Sequence, residues 1–232
     1  MSATDVWASG GRGRTSCRSV KQRSRRNIVF ASLLALTACG REPGPLSPKM
    51  SMFITSAGSG DGGNLGGLPG ADAHCQRLAV AVGSTRRWRA YLSAPATGSA
   101  PAVDARDRIG SGPWFNQQGT EIAASLDVLH SDRAGISNRT ALTEQGRRVP
   151  VNIHDMLTGS NAQGVLATTA TDTTCRGWTS NGAGRAMLGH SDGRGGQPHS
   201  LSWNAAHISD GCSPRALDAT GGAGLFYCFA ID

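Results

Sequence analysis

The sequence predicts an α+β domain with one main helix, short strands and long loops. Three observations carry that expectation. Ala71, Cys75, Leu78, Ala79 and Val82 recur at helical spacing, in the clearest such stretch of the chain. Apolar or alternating runs at 52–55, 88–92 and 224–230 have the length and composition of strands. Glycine is abundant, at 32 of 232 residues, and helical periodicity is otherwise rare, so much of the chain runs as loops.

In chain order the first element is an export leader, residues 1–38. Arg23, Arg25 and Arg26 precede the apolar run Ile28-Val29-Phe30-Ala31-Ser32-Leu33-Leu34-Ala35-Leu36, and small residues lead from it to Cys39. That order of basic, apolar and small residues is the layout of a bacterial secretory signal. The apolar run is too short to span a bilayer as a helix, which takes about 20 residues. Leu36-Thr37-Ala38-Cys39 resembles a lipobox. The resemblance implies that Cys39 is acylated through its sulfur, becomes the first mature residue and holds the protein on a membrane. Gly40 and Arg41 follow, without the Asp of an inner-membrane retention signal, so the expected location is the cell envelope, and the outer membrane in a host with two. The basic segment before such a run is ordinarily short, which places the expected start downstream of residue 19, at Val20 if its codon is GTG. Ser24-Arg25-Arg26-Asn27-Ile28 approaches the twin-arginine pattern but lacks its Phe, so Sec export is expected.

The leader also accounts for the charge. The chain has 23 basic against 16 acidic side chains, a balance of +7. Residues 1–38 hold seven of the basic residues and one acid, Asp5, which leaves the mature part 16 against 15. A basic protein ordinarily suggests nucleic-acid binding; with a mature balance of +1 that reading is disfavoured, and no nucleic-acid partner is expected.

Residues 39–51 carry the lipidated cysteine and then Pro43, Gly44, Pro45, Ser47 and Pro48, a composition that reads as a flexible tether. About 180 residues remain at 52–232, enough for one domain with a single core. Four cysteines lie in it, Cys75, Cys175, Cys212 and Cys228, in a chain sent to an oxidising compartment. None forms a CxxC pair and their spacings suit no common zinc site, so two disulfides are expected, with three connectivities open.

Met52-Phe53-Ile54-Thr55 reads as the first strand. The helix follows over 71–82, with Gly83 at its C-terminal cap. Trp88-Arg89-Ala90-Tyr91-Leu92 alternates and reads as a half-buried strand, and 125–130 as a possible helical turn. Signals between Pro95 and Pro198 are otherwise weak. Gly224-Leu225-Phe226-Tyr227-Cys228-Phe229-Ala230 is the most apolar stretch of the domain and reads as a strand at the sheet centre.

Three motifs invite catalytic or binding readings. Gly58-Ser59-Gly60-Asp61-Gly62-Gly63 fits G-x-G-x-x-G, but no helix starts at once to meet a pyrophosphate, so a flexible loop is expected. Gly189-His190-Ser191-Asp192-Gly193 fits G-x-S-x-G, but the residues after it cannot begin the helix of a nucleophile elbow. His190, Asp192, His199 and His207 are suitable metal ligands, yet their separations match no standard local spacing, so no metal and no cofactor are expected.

Taken in order, Gly70-Ala71-Asp72-x-x-Cys75, Arg89-Ala90-x-Leu92-Ser93 and Asp107-Arg108 resemble the opening half of an endostatin-type domain, the C-terminal module of certain collagens. Leu157-x-Gly159-Ser160, Cys175-x-x-Trp178, Cys212 and Tyr227-Cys228 continue the resemblance, which covers most of 52–232 and is thin between Gly110 and Val151. It implies a C-type-lectin-like fold with a twisted antiparallel core, and nested disulfides Cys75–Cys228 and Cys175–Cys212. The N-terminal histidines that bind zinc in that family are absent, since no histidine precedes His74. The calcium segment Trp-Asn-Asp of C-type lectins stands here as Trp203-Asn204-Ala205; Ala205 supplies no carboxylate, and calcium takes six to eight oxygens.

The resemblance places the ligand loops at 202–207, so Trp203, Asn204 and His207, with His190 and Asp192, are the expected ligand-binding residues. The expected function is that of a lipid-anchored, non-enzymatic envelope binding module for a glycan or matrix-type protein. The alternatives are an envelope hydrolase or metal-dependent enzyme built from the 190–207 loop, and a purely structural envelope domain.

Overall fold

The last strand is the axis of the molecule. In the computed structural model, which describes residues 45–98, 100–193 and 202–232, β8 (Gly222–Ala230) pairs with three other strands. Its run Leu225-Phe226-Tyr227-Cys228-Phe229-Ala230 is buried on both faces, which is why it is apolar without alternation. β1 (Met52–Ile54) and β2 (Trp88–Ala90) lie antiparallel to its C-terminal half, with Phe53 and Ala90 both opposite Cys228. β5 (Asp155–Leu157) joins its N-terminal half, and β6 (Met187–His190) and β7 (His207–Ile208) extend the sheet outward in the order β1-β8-β5-β6-β7. β3 (Trp114–Phe115) and β4 (Glu121–Ala123) form a separate ribbon. The helices are α1 (Gly67–Ala81), of 15 residues, and the short α2 (Leu126–Leu129), α3 (Cys175–Trp178) and α4 (Pro214–Asp218). The fold class is α+β. No helix among the described residues is long and apolar enough to cross a membrane.

The antiparallel expectation meets one exception: β5 runs parallel to β8, with Met156 opposite Leu225. Parallel neighbours need a long crossover, and the chain between them is long enough to build β6, β7 and α4 on its way.

Strand alternation sorts the core into two faces. Phe53, Trp88, Ala90, Leu157, Phe226 and Cys228 pack on one side with Ala71, Cys75 and Ala79 of α1. Met52, Ile54, Tyr91, Met156, Trp203, Tyr227 and Phe229 pack on the other with Trp114 and Leu129. Cys75–Cys228 joins α1 to β8, and Cys175–Cys212 joins α3 to the approach of α4, with Cα separations of 5.6 and 5.7 Å. The nested pairing is therefore present. In the chain-entropy model the outer link constrains the unfolded chain more, by roughly 5 against roughly 4 kcal/mol.

α1 starts at Gly67, earlier than its apolar spacing suggests. Gly66 takes a left-handed φ of 74°, and Pro69 sits in the first turn, where a missing N–H costs nothing. Gly83, at φ 88°, ends it, and the Ser84 N–H bonds back to Ala79 O. Asp72 accepts from the Ala90 N–H and pairs with Arg108 at 2.5 Å, while Arg108 also donates to Ala90 O. These residues of the resemblance thus fasten α1 to β2.

Two expectations are corrected by packing. The tether ends before residue 51: the N–H groups of Ser47 and Ser51 bond to Gln117 O and Phe115 O, and Met50 is buried. The glycine loop at 58–63 is pinned rather than flexible. Gly63 N–H bonds to Cys212 O, and a Cβ on Gly63 would meet Cys175 Sγ at 2.5 Å. The leader 1–38, Cys39 and His199 lie outside the described residues.

Candidate functional site

His154 leads directly into β5, which opens at Asp155, and the N–H groups of both bond to Gly221 O. Asp155 faces His190 directly across the antiparallel β5–β6 ladder. His207 pairs with Leu188, two residues before His190 and so on the same face of the sheet. Three strands from distant parts of the sequence thereby bring three imidazoles around one carboxylate.

The Nε2 atoms of His190 and His207 lie 3.3 Å from Asp155 Oδ1, and that of His154 lies 3.6 Å away. The Asp155 side chain is wholly buried, while His190 is 13% exposed, His154 31% and His207 36%. The His190 ring stands edge-on between the other two, with centroids 4.6 Å from His154 and 5.1 Å from His207. Neither carboxylate oxygen accepts a hydrogen bond of regular geometry among the described residues. Burial pushes the Asp155 pKa up, but His190, His207, Thr220 and His154 outweigh it and hold the carboxyl below its ordinary range.

Backbone carbonyls set the tautomers. His154 Nδ1 lies 3.1 Å from Val151 O, and His207 Nδ1 lies 3.4 Å from Ile208 O. A carbonyl only accepts, so each Nδ1 carries the proton, and in the neutral ring each Nε2 then presents a lone pair. Those lone pairs are turned toward an ionised carboxylate. The arrangement attracts a cation, and imidazole nitrogens with a carboxylate oxygen are metal-ligating donors. The donor atoms of His154, Asp155 and His190 all lie within 4.8 Å of one another.

A groove of about 470 Å³ is lined by Thr55, Ser56, Arg147, Arg148, Pro150 and Leu225 among others, and includes Ile153, next to His154 in the chain. Arg147 and Arg148 are exposed and make no ion pair among the described residues. Val149 and Pro150 also line a smaller pocket with His154, Ser191 and Asp192, so the two concavities share a wall.

The structure divides the expected ligand residues. His190 and His207 belong to the cluster, and exposed Asp192 lies at its rim. Trp203 and Asn204 do not form a ligand surface; both are fully buried. Trp203 Nε1 donates to Leu129 O, and Asn204 Nδ2 donates to Tyr91 Oη and Asn161 O, so their polar groups are spent on the core. Gly189 of the G-x-S-x-G string is a packing residue, because a Cβ there would meet Trp203 O at 1.9 Å. Ser191 is buried, and its N–H bonds to His154 O. His154 and Asp155 had escaped the sequence reading. Their one local signal is an adjacent His-Asp pair directly before the apolar Met156-Leu157.

Compared with known proteins, the chain matches no family model and no curated protein.

Proposed function

We propose that this chain is a lipid-anchored cell-envelope binding protein, with an endostatin-like, lectin-like domain that engages a glycan or matrix-type protein. The carrying observation is the groove lined by Arg147 and Arg148, which shares Val149 and Pro150 with the pocket at His154, a concave surface whose exposed arginines make no ion pair among the described residues. Exposed, unpaired arginines suit carboxylate or sulfate groups, which they hold by two parallel hydrogen bonds. Acidic glycans are therefore the favoured ligands. The lipobox-like Leu36-Thr37-Ala38-Cys39 supports the anchor, and the two disulfides support an oxidising compartment.

The test is an array of neutral and acidic glycans and matrix proteins, probed with the full-length protein in detergent. Binding of acidic glycans that falls at least about ten-fold in an Arg147→Ala, Arg148→Ala variant is expected. A blank array, or binding indifferent to both arginines, overturns the proposal. Loss of palmitate labelling in Cys39→Ser is the expected result for the anchor, and labelling that survives the substitution overturns it.

A further inference from the structure

We propose that His154, Asp155 and His190, with His207 beside them as the fourth donor, form a binding site for one divalent transition-metal ion of the zinc type. His154, Asp155 and His190 offer donor atoms within 4.8 Å of one another, and His207 Nε2 lies 3.3 Å from the Asp155 oxygen they share. A tetrahedral ion with bonds of about 2.0–2.2 Å sets its ligand atoms about 3.3–3.6 Å apart. The Nε2–Oδ1 separations here are 3.3, 3.3 and 3.6 Å.

Two independent features point to a cation at that centre. Asp155 is a wholly buried carboxylate with neither oxygen in a regular hydrogen bond among the described residues. Such a group is costly to bury unless an opposite charge meets it. The second feature is the outer support of the histidines. His154 and His207 donate Nδ1–H to Val151 O and Ile208 O, which turns their Nε2 lone pairs inward. Metal-bound histidines are held in this way, the far N–H fixed by a carbonyl or carboxylate.

The donor set selects the metal class. Three imidazole nitrogens and one carboxylate oxygen suit zinc and its neighbours, whereas calcium takes six to eight oxygens and magnesium prefers oxygen and water. His154, Asp155 and His190 supply three donors, and His207, 3.3 Å from the shared Asp155 oxygen, is placed to be drawn in as the fourth of a tetrahedral shell, the pattern of a site that holds its ion. The strands fix the donors in advance. Asp155 and His190 face one another in register, and β7 brings His207 alongside.

The site stands on its donor geometry and does not depend on what the groove binds. The full-length protein, stripped with EDTA and dialysed, would be titrated with zinc chloride against a chromogenic chelator. One zinc per chain is expected, with no comparable uptake of calcium. His154→Ala and His207→Ala replace partly exposed side chains, and each is expected to weaken zinc binding at least about ten-fold. Tryptophan fluorescence checks that each variant keeps its fold. X-ray absorption of the loaded protein is expected to show nitrogen and oxygen ligands only. Absence of stoichiometric zinc binding, or binding equal in wild type and both variants, overturns the site. Zinc binding beside a blank glycan array would leave the site standing and remove the proposed function. Chelator-insensitive glycan binding without zinc uptake would do the reverse.

Discussion

The histidine network around His130 and that around Asp155 differ in how donors meet acceptors. Around His130 the matching is complete: Nδ1 donates to Leu126 O, Nε2 accepts from the Tyr91 hydroxyl, and Asn204 Nδ2 donates to Tyr91 in turn. Trp203 Nε1 donates to Leu129 O, and the Tyr227 hydroxyl closes the set on Trp203 O. Around Asp155 the rings of His154 and His207 start the same way, with Nδ1 toward a backbone carbonyl, but each Nε2 then faces a carboxylate. The first network is finished by the chain alone. The second leaves both Asp155 oxygens without a regular hydrogen bond among the described residues, and on the metal proposal a cation completes it. Buried polar groups in native proteins are overwhelmingly paired, and that mismatch is what the metal proposal rests on, whereas the first network is a part of the scaffold.

The comparison breaks most visibly at Trp203, which sequence reasoning placed on a ligand surface. Trp203→Ala removes a buried indole packed on Tyr91, His130 and Tyr227, and an unfolding cost of about 3–5 kcal/mol is expected. Denaturant titration measures it. A variant of near-native stability that loses only ligand binding would return Trp203 to the site.

Asn204→Ala is the next largest effect. It leaves the acceptor side of Tyr91 and the Ser202 hydroxyl without their partner in the interior, while Asn161 O keeps the Gly164 N–H, and a loss of about 2–3 kcal/mol is expected by the same titration. Zinc uptake is expected to survive in the fraction that folds.

Acid sharpens the comparison further. Burial lowers the His130 pKa, with Arg106 adding to it, against the Leu126 carbonyl and Asp127, which raise it. The folded state therefore keeps His130 neutral where the unfolded chain protonates it. Stability is full above the unfolded value of about 6.5 and falls as pH drops below it, until the folded histidine also takes its proton. Urea midpoints should fall from pH 7.5 to 5.5, and fall less in His130→Gln. His74, half-buried and shifted the same way by burial, contributes to the remainder. Asp155, whose carboxyl is held below its ordinary range, acts only at lower pH. An identical drop in wild type and His130→Gln would remove His130 from the finished network.

What the sequence made legible follows from what is local. The spacing of α1, the apolar β1 and β8, and the Ser125-capped turn of α2 each depend on a few adjacent residues, and all are present. The disulfide pairing came through the resemblance, since four cysteines alone leave three choices. The parallel β5–β8 contact and the histidine centre were not legible, because both depend on register between strands far apart in sequence. His154 and Asp155 lie more than thirty residues before His190, and no local spacing rule joins them. Trp203 was misplaced for a different reason. An indole suits a sugar platform and a core equally well, and only the partner of its N–H decides between them.

The smallest expected effect is the most diagnostic. His207 is 36% exposed, and its Nε2 faces Asp155 without regular hydrogen-bond geometry. Its neighbours are the edge of the His190 ring and the Ile208 carbonyl, so little apolar burial is lost with it. In the metal-free protein, His207→Ala is therefore expected to change unfolding stability by less than about 1 kcal/mol, within the range of ordinary partly exposed substitutions. With zinc present the wild type gains stability through binding to the folded state alone, and the variant gains less, so the gap between them widens with zinc concentration. Urea midpoints in EDTA and in a zinc series measure both quantities. A large loss in EDTA would make the Asp155 cluster a finished network like that of His130, with His207 as a structural member, and the contrast between the two regions would be gone.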